Sequence, residues 1–446
     1  MVTNVIIMGA AGRDFHNFIT LFRNNPTYRV VCFTAAQIPG IARRTFPVSI
    51  AGKLYKKPIP IFSEEQLPAL IKKYHADEVY LSYSDLSFKD VMQKAGIVMK
   101  AGAEFVLAPA EKTMLTSKKP IIAVCAVRTG CGKSSVSQKI AAYIHSKNKR
   151  VVVVRHPMPY GNLEDEICQR FASYADLKKN KCTIEEREEY EPYIEKGIVI
   201  YAGVDYTQIL RAAEKEADVI IWDGGNNDTP FFKPDLHITL VDPHRPGNEI
   251  SYYPGYTNLL MADIILINKA SSAPKKNVAL VEQNCRAANP RAAIIKSASV
   301  IKVDKPELIR GKRVVVVEDG PTLTHGNMTY GAGMIAAQKY HATPVDPRPY
   351  AVGSIRMIYK HFPKLGKLLP AMGYSSHQRM ELQTTINNTL VRGHAHAVLG
   401  ANPINLNSLL RLKKPIVKVR YHVEELGKLK LASFIDRVLK KQKTKK

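Results

Sequence analysis

Cysteine is scarce and unpaired in this 446-residue sequence: Cys32, Cys125, Cys131, Cys168, Cys182 and Cys285 are widely spaced and form no Cys-x-x-Cys pair. That spacing argues against a disulfide framework and against a zinc ribbon, and a reducing cytoplasm is the expected compartment. Long apolar runs are also missing. No window approaches the roughly 20 uninterrupted apolar residues that span a bilayer. The apolar start Asn4 to Ala11 runs into Arg13 and Asp14 with no basic stretch ahead of it, so secretion and membrane spanning are disfavoured. There is no internal repeat and no long low-complexity segment. With 45% hydrophobic and 23% charged residues the chain has enough apolar material for real cores, and its length suits two to four domains.

Negative charge is the other shortage: 39 Asp+Glu stand against 65 Lys+Arg, a formal net charge of +26. The excess is uneven. Residues 1–118 carry +6, residues 119–304 carry +3, and residues 305–446 carry +17, with 25 basic side chains against 8 acidic ones. A basic surface attracts nucleic acid, anionic lipid and small polyanions alike. The terminal Lys440, Lys441, Lys443, Lys445 and Lys446 read as a solvated tail.

What is present is an alternation of β-branched runs with helix-length amphipathic stretches, the pattern of parallel sheets built from β-α-β units. In the first segment the pattern predicts strands over 4–8, 29–33, 78–82 and 104–107, with helices over 15–23, 64–74 and 88–100, a small Rossmann-like domain. Thr116-Ser-Lys-Lys-Pro120 is a polar link ending in proline, which sets a boundary near residue 118. Strands are expected next over 121–127, 150–155, 218–222, 236–242 and 263–268, with a helix over 133–146. The acidic run 184–190 in the insert between 155 and 218 reads as a solvated helix face. Beyond residue 303 a strand over 313–317, a helix over 333–340 and strands near 397–399 and 416–419 are expected.

The strongest motif is Ala123-Val-Cys-Ala-Val-Arg-Thr-Gly-Cys-Gly-Lys-Ser-Ser135, which places Thr129, Gly130, Cys131, Gly132, Lys133, Ser134 and Ser135 between a strand and a helix. Glycines let backbone N–H groups converge on phosphate oxygens, Lys133 can reach the β- and γ-phosphates, and the Ser134 hydroxyl can ligate Mg²⁺. Val127 stands where the first glycine of G-x-x-x-x-G-K-[ST] belongs, and Arg128 occupies the place of the signature lysine of one P-loop subclass. Asp223, ending the apolar run Val219-Ile-Ile-Trp-Asp223, is the expected second Mg²⁺ ligand, and Asp242 after the next run is a candidate for positioning water or serving as a turn residue. Asn268-Lys269 starts like the N-K-x-D element that reads guanine, but position 271 is serine, which leaves ATP and GTP both open. The fold class expected is therefore α/β: an N-terminal Rossmann-like domain (1–118), a central P-loop NTPase domain with a parallel sheet (119–304), and a smaller basic α/β region with a lysine-rich tail (305–446).

Three loops set Arg and His among Pro and Gly at strand ends: Arg155-His-Pro-Met-Pro-Tyr-Gly161, Asp242-Pro-His-Arg-Pro-Gly247 and Asp346-Pro-Arg-Pro-Tyr350. Arg offers bidentate geometry to a phosphate, and proline limits the ordering cost, so Arg155, His156, His244, Arg245 and Arg348 are candidate contacts for an anionic substrate. Gly9-Ala-Ala-Gly-Arg-Asp-Phe-His16 follows a strand and opens a helix, the usual ligand position in an α/β fold, but lacks the third glycine of a dinucleotide fingerprint. Arg13, Asp14 and His16 there are candidates for an anionic substrate or for helix capping. His394 and His396 form no recognisable metal pattern. Cys131, inside the phosphate loop, is a candidate for oxidation-sensitive nucleotide binding on position alone.

Taken together, the segments 9–16, 125–134, 155–161, Trp222-Asp-Gly-Gly-Asn-Asn-Asp228 and Val317-Glu-Asp-Gly-Pro-Thr-Leu-Thr-His-Gly326 resemble the family of P-loop GTPases related to cyclic 2,3-diphosphoglycerate synthetase. The resemblance implies a ligase that uses ATP (or GTP) and Mg²⁺ to close an intramolecular phosphoanhydride in 2,3-diphosphoglycerate, with cyclic 2,3-diphosphoglycerate, ADP and phosphate as products. In that reading Lys133 holds the transferred phosphoryl group, Ser134 and Asp223 hold Mg²⁺, Arg128 stabilises transition-state charge, and the partner is a phosphorylated small molecule. A homodimer is admissible. A regulatory or metallochaperone-type GTPase is the second expectation, and a basic nucleic-acid-binding NTPase the third.

Overall fold

Strands form in this chain where β-branched and aliphatic residues run uninterrupted, because a parallel strand flanked by helices is buried on both faces. Ile121–Ala126 and Val151–Arg155 are buried along their whole length. The structure, a computed structural model, describes residues 2–35, 44–156, 161–225, 227–319, 331–371, 376–402 and 405–441. Residues 157–160, 226, 320–326 and 443–446, which belong to segments singled out in the sequence, lie outside the described residues.

The chain divides into two compact units: Met1–Arg170 with Ile198–Ser297 and Glu425–Lys446, and Phe171–Gly197 with Ala298–Glu424. The first unit holds two layers of strands. One is a six-stranded sheet in the order Thr45–Phe46, Ile59–Ser63, Tyr28–Ala35, Thr3–Met8, Glu78–Leu81, Glu104–Val106, parallel except at its first strand. Thr3–Met8 pairs with Tyr28–Ala35 on one side and Glu78–Leu81 on the other. The strand order therefore reverses there, and α/β sheets bind ligands beyond the carboxyl ends of strands at such a point.

The second sheet of this unit is parallel and runs Val199–Ala202, Val151–Arg155, Val219–Asp223, Ile121–Ala126, Leu236–Val241, Ile264–Ile267 and the start of Ala293–Val303. Its central strand, Ile121–Ala126, feeds the helix Lys133–Ser146. The pairing of Leu86–Ser87 with Tyr252–Tyr253, and of Leu115 with Phe232, ties the two sheets together within the unit. In the second unit, Arg313–Asp319 is flanked by Ala397–Ala401 on one side and by Thr343–Pro344 and Leu368–Ala371 on the other, all parallel. No helix among the described residues is long and apolar enough to cross a membrane.

Two local expectations are corrected. The helix expected over 15–23 begins earlier and changes pitch: Arg13–Asn17 is α-helical and Phe18–Phe22 is a π turn, where the Thr20 hydroxyl donates back to the His16 carbonyl at 2.8 Å. The acidic run does form a helix, Ile184–Ile194, but its face is not solvated: Glu185, Glu186, Glu188 and Glu191 are all buried. Glu186 closes a capping box with Thr183, and Glu191 accepts from Arg187 at 2.6 Å and from the Asn405 backbone N–H at 2.8 Å. Buried partners, rather than water, satisfy those two carboxylates.

Candidate functional site

The loop between Ile121–Ala126 and Lys133–Ser146 has the geometry of an anion cradle. Gly130 and Gly132 adopt φ of +86° and +94°, which turns successive backbone N–H groups inward above a 14-residue helix. A side chain at Gly132 would also collide with the Asn268 amide. Thr129 Oγ1 is buried without a hydrogen-bond partner among the described residues, a donor available to a phosphate oxygen.

The rim of this loop is braced from the two neighbouring strands. Asn268, buried, donates to the Cys131 carbonyl at 2.8 Å while its Oδ1 accepts from Ser297 at 2.9 Å. Lys269 donates to the Gly130 carbonyl at 2.7 Å and to Asp242 at 2.8 Å, and Arg245 donates to the Thr129 carbonyl at 2.7 Å. Burial raises the Asp242 carboxyl, but Lys269 and Arg245 outweigh it and hold it below the usual carboxylate range. The backbone N–H of His244 also donates to Asp242, and its ring meets Ser272 Oγ at 2.9 Å. Asp242, His244, Arg245, Asn268 and Lys269 thus form one scaffold. Cys131 sits beneath it, 1% exposed, with its thiol pushed up to about 11 by burial. That corrects the expectation of a redox-responsive thiol, because reactivity needs exposure and the thiolate.

Below the cradle, Asp223 and Arg155 are direct partners across two parallel strands. Their side chains meet at 2.7 Å, and the other Asp223 oxygen accepts from Lys133 at 3.1 Å. Lys133 also donates to the Gly224 carbonyl. Asp223 is 0% exposed and Arg155 3%, so the aspartate joins two cations in a setting with little water. Arg128 leaves the loop on the opposite side, stacked 4.2 Å from the Tyr252 ring and 3.7 Å from Asp85.

A second cluster lies beside this one in the same unit. His156, next in sequence to Arg155, donates to Asp228 at 3.2 Å. Its ring packs where any side chain at Gly12 would stand. Burial alone would raise the Asp228 carboxyl, but the bond from His156 and the Arg13 charge hold it low. Arg13 is buried, stacks 4.4 Å over Phe231, and donates to Thr113 Oγ1 at 3.2 Å and to the Thr229 carbonyl. Asp14 faces backbone: it accepts from the N–H groups of Ala11, Gly12 and Phe15, and burial pushes its carboxyl up to about 6. His16 stacks on Phe231 at 4.1 Å, contacts the Thr113 carbonyl through Nε2 at 2.6 Å, and is held neutral by burial, its pKa lowered to about 3. A fully buried neutral imidazole offers no charge to an anion, so His16 is a core residue.

The structure brings Arg13, Arg155, His156, Lys133 and Asp223 into one region, together with the phosphate loop. Arg348 belongs to the second unit, where Asp346 holds it in a bidentate pair at 2.9 and 2.6 Å. Sequence reasoning passed over Asn17, Asp228 and Asn227. The signal was present in Gly224-Gly225-Asn226-Asn227-Asp228, a polar loop at the end of a fully buried strand, and Asn227 does reach the Val127 carbonyl at 2.9 Å. Among the described residues there is no group of three or more His, Cys, Asp or Glu side chains placed to hold a metal ion.

No family model matches the chain. Over 433 residues it is 54% identical to the arginine synthetase ArcE of Thermococcus kodakarensis, covering 97% of this chain and 96% of that one. Over 271 residues it is 25% identical to the cyclic 2,3-diphosphoglycerate synthetase of Thermococcus sibiricus, covering 55% of this chain and 60% of that one. The crystal structure of LpxK from Aquifex aeolicus in complex with ATP superposes with a TM-score of 0.43 at 12% identity, over 84% of this chain and 99% of that chain. With more than half of its residues identical along almost the full length of both sequences, the chain belongs to the family of the arginine synthetase ArcE.

Proposed function

We propose that the protein is a nucleotide-dependent synthetase whose product is arginine. The observation that carries this reading is the 54% identity to ArcE over 97% of the chain, which takes in the phosphate loop and the residues around it. Chemically, arginine differs from its ureido counterpart citrulline by a nitrogen in place of an oxygen. Transfer of the γ-phosphoryl group to the ureido oxygen releases the nucleoside diphosphate and makes that oxygen a leaving group. Ammonia then adds to the carbon, and inorganic phosphate and a proton depart.

In this reading the chain contributes positioning and charge. Thr129, Gly130, Cys131, Gly132, Ser134 and Ser135 line the cradle for the phosphates, and Lys133 exchanges the Gly224 carbonyl for the transferred group. Arg155 then keeps Asp223 neutralised. Ser134 at the helix start and Asp223 at the strand end are a donor set of the kind Mg²⁺ uses, few protein oxygens with the rest from substrate and water, and the ion would offset phosphate charge there. Arg128, stacked on Tyr252, remains the candidate for steadying charge at the far side of the loop.

The alternative, closure of a phosphoanhydride in 2,3-diphosphoglycerate, is supported by the 25% relative. It needs a surplus of cations around a polyanion. The side chains expected to supply them are engaged: Arg245 on the loop carbonyl, Arg348 on Asp346, His244 at Ser272. The deciding experiment incubates the protein with Mg-ATP or Mg-GTP, citrulline and ammonium and measures arginine by amino-acid analysis. Arginine formed in step with nucleoside diphosphate is the expected result. Its absence with either nucleotide, alongside a new cyclic diphosphate signal in ³¹P NMR from 2,3-diphosphoglycerate, would replace this reading with the alternative. Hydrolysis of GTP that no amino acid or phosphorylated acid stimulates would point to a regulatory GTPase.

A further inference from the structure

A small cavity of about 30 Å³ opens at the carboxyl end of Thr3–Met8, lined by Arg13, Asn17, Tyr83, Asp228, Tyr253 and Thr257 among others. It lies at the point where the strand order of the six-stranded sheet reverses, where α/β folds hold their ligands. Its wall is unusual in what it leaves unsatisfied. Three buried side chains lining it each carry a polar atom with no well-formed hydrogen bond among the described residues: Arg13 Nε, Asn17 Oδ1 and Asp228 Oδ1. Arg13 is 8% exposed, Asn17 2% and Asp228 4%, so bulk water does not readily reach them.

Each is otherwise firmly held. Asn17 is oriented by its amide, which donates to Ser82 Oγ at 2.9 Å, leaving the carbonyl oxygen as the unused end. Asp228 accepts from His156 at 3.2 Å and also from the Ser84 side chain, and its Oδ1 has no well-formed hydrogen bond among the described residues. Arg13 donates to Thr113 and Thr229 through its two terminal nitrogens, while its buried Nε–H has no partner among the described residues. Buried polar groups are nearly always paired, and three unpaired ones on the wall of one cavity ask for a ligand that pairs them together.

The polarity of the set selects that ligand. One unused atom is a donor on a cation, one is an acceptor on an anion, and one is a neutral acceptor. A polyanion would satisfy Arg13 and be repelled by Asp228, and a simple cation would do the reverse. An α-amino acid head group, with a carboxylate and an ammonium on one carbon, offers both complements within a few ångströms. The cavity is also wired to the phosphate site: Asn227, beside Asp228, donates to the Val127 carbonyl at 2.9 Å, and the consecutive Arg155 and His156 hold Asp223 and Asp228 respectively.

We infer that this cavity is the head-group subsite for an α-amino acid, with Arg13 receiving the carboxylate and Asp228 and Asn17 receiving the ammonium. The inference rests on the synthetase reading above and narrows it to named contacts.

The test is calorimetric titration of the full chain, with and without Mg-ADP, using four probes: L-arginine, L-norvaline, agmatine (no carboxylate) and 5-guanidinopentanoic acid (no amino group). L-Arginine is expected to bind about 100-fold more tightly than either truncated analogue, and norvaline to retain weak binding. Arg13→Gln is expected to weaken L-arginine by about 10- to 100-fold and to leave agmatine unchanged, a discrimination that a merely structural role for Arg13 would not move. The analogue comparison in the unaltered protein needs no variant to fold. If agmatine and 5-guanidinopentanoic acid bind as well as L-arginine, or if no α-amino acid binds, the subsite assignment fails. The two inferences separate cleanly. Arginine formation with no dependence on Arg13 or on the head group keeps the function and removes the subsite, whereas Arg13-dependent binding of a different α-amino acid keeps the subsite and removes arginine.

Discussion

Replacing Asp223 by asparagine tests the charge arrangement at the heart of the site. Asp223 is completely buried, and its two oxygens lie 3.1 Å from Lys133 Nζ and 2.7 Å from Arg155 Nη1. The side chains of those cations are only 10% and 4% exposed. Asparagine preserves the shape and removes the charge, so two neighbouring cations are left in a medium that solvates them poorly. Removing one partner of a buried ion pair costs about 3–5 kcal/mol, and with two cations stranded the upper half of that range applies. For a urea dependence of about 3 kcal/mol per molar, the unfolding midpoint should fall by more than about 1 M. The diagnostic arm is the double variant Asp223→Asn with Arg155→Met: removing one stranded cation should recover over half of the loss, because residues in contact are not additive. Titration with ADP in EDTA supplies a second readout, since cations freed of their aspartate should bind a metal-free polyphosphate more tightly than the unaltered protein does, even as Mg²⁺-dependent turnover disappears. A midpoint shift below about 0.3 M, or strict additivity in the double variant, would refute the assignment of Asp223 as the shared counter-ion.

Three further outcomes follow from other contacts. Gly12→Ala places a methyl group in the space of the His156 ring, so the His156–Asp228 bond should break and synthetase turnover should drop by at least about tenfold with little change in nucleotide affinity, measured by steady-state kinetics. Cys131 should resist alkylation by iodoacetamide in the native protein and react only at the global unfolding rate, because it is buried and its thiol sits at about 11; rapid native labelling followed by mass spectrometry would contradict this. His16 binds protons more readily unfolded (6.5) than folded (about 3), so its contribution to stability is intact above pH 6.5 and is lost as pH falls towards 3, by up to about 5 kcal/mol. Asp14, raised to about 6, acts in the opposite sense between pH 6 and 4, so urea midpoints for His16→Phe and Asp14→Asn should diverge from the unaltered protein with opposite slopes across that window.

Much of the first unit was legible because parallel strands announce themselves. Val151–Arg155 and Val219–Asp223 are apolar runs ended by a polar residue, and Ile264–Ile267 is followed at once by Asn268, which places the functional side chains at the carboxyl edge of the sheet. The helix Lys133–Ser146 begins and ends where the pattern put it. Elements without such contrast were passed over: Lys275–Ala288 opens on Lys275, Lys276 and Asn277 and buries only Val281 and Cys285, and Ser376–Arg392 buries threonines as well as leucines. The depth of a charge was the other blind spot. Local sequence cannot reveal that Glu191 meets the Asn405 backbone 214 residues away, or that Asp228 faces His156 and Arg13. Such partners come from three separate strand ends, which only the folded sheets bring together.

The net charge of +26 invites a polyanionic ligand, and the placement of charge in the structure argues against it at this site. Within the region that holds the phosphate loop, Lys133, Arg155 and Arg13 are set against Asp223 and Asp228, close to balance, while Arg245 and Lys269 share Asp242. Of the +17 of residues 305–446, +11 belongs to the second unit and +6 to Glu425–Lys446 of the first, most of it in the lysine tail, and Arg348, the proposed contact, is already paired. A balanced, buried site gains its affinity from short hydrogen bonds rather than from a long-range field. Screening acts on the field: the Debye length shrinks from about 10 Å at 0.1 M salt to about 3 Å at 1 M, and contacts at hydrogen-bond distance hardly notice. If the substrate is the α-amino acid proposed above, its KM should change less than about threefold between 0.05 and 0.5 M KCl, whereas a polyanion drawn in by the basic surface would lose affinity steeply over the same range. A steep salt dependence of that KM would return the basic C-terminal segment to the substrate site and remove the zwitterion from it.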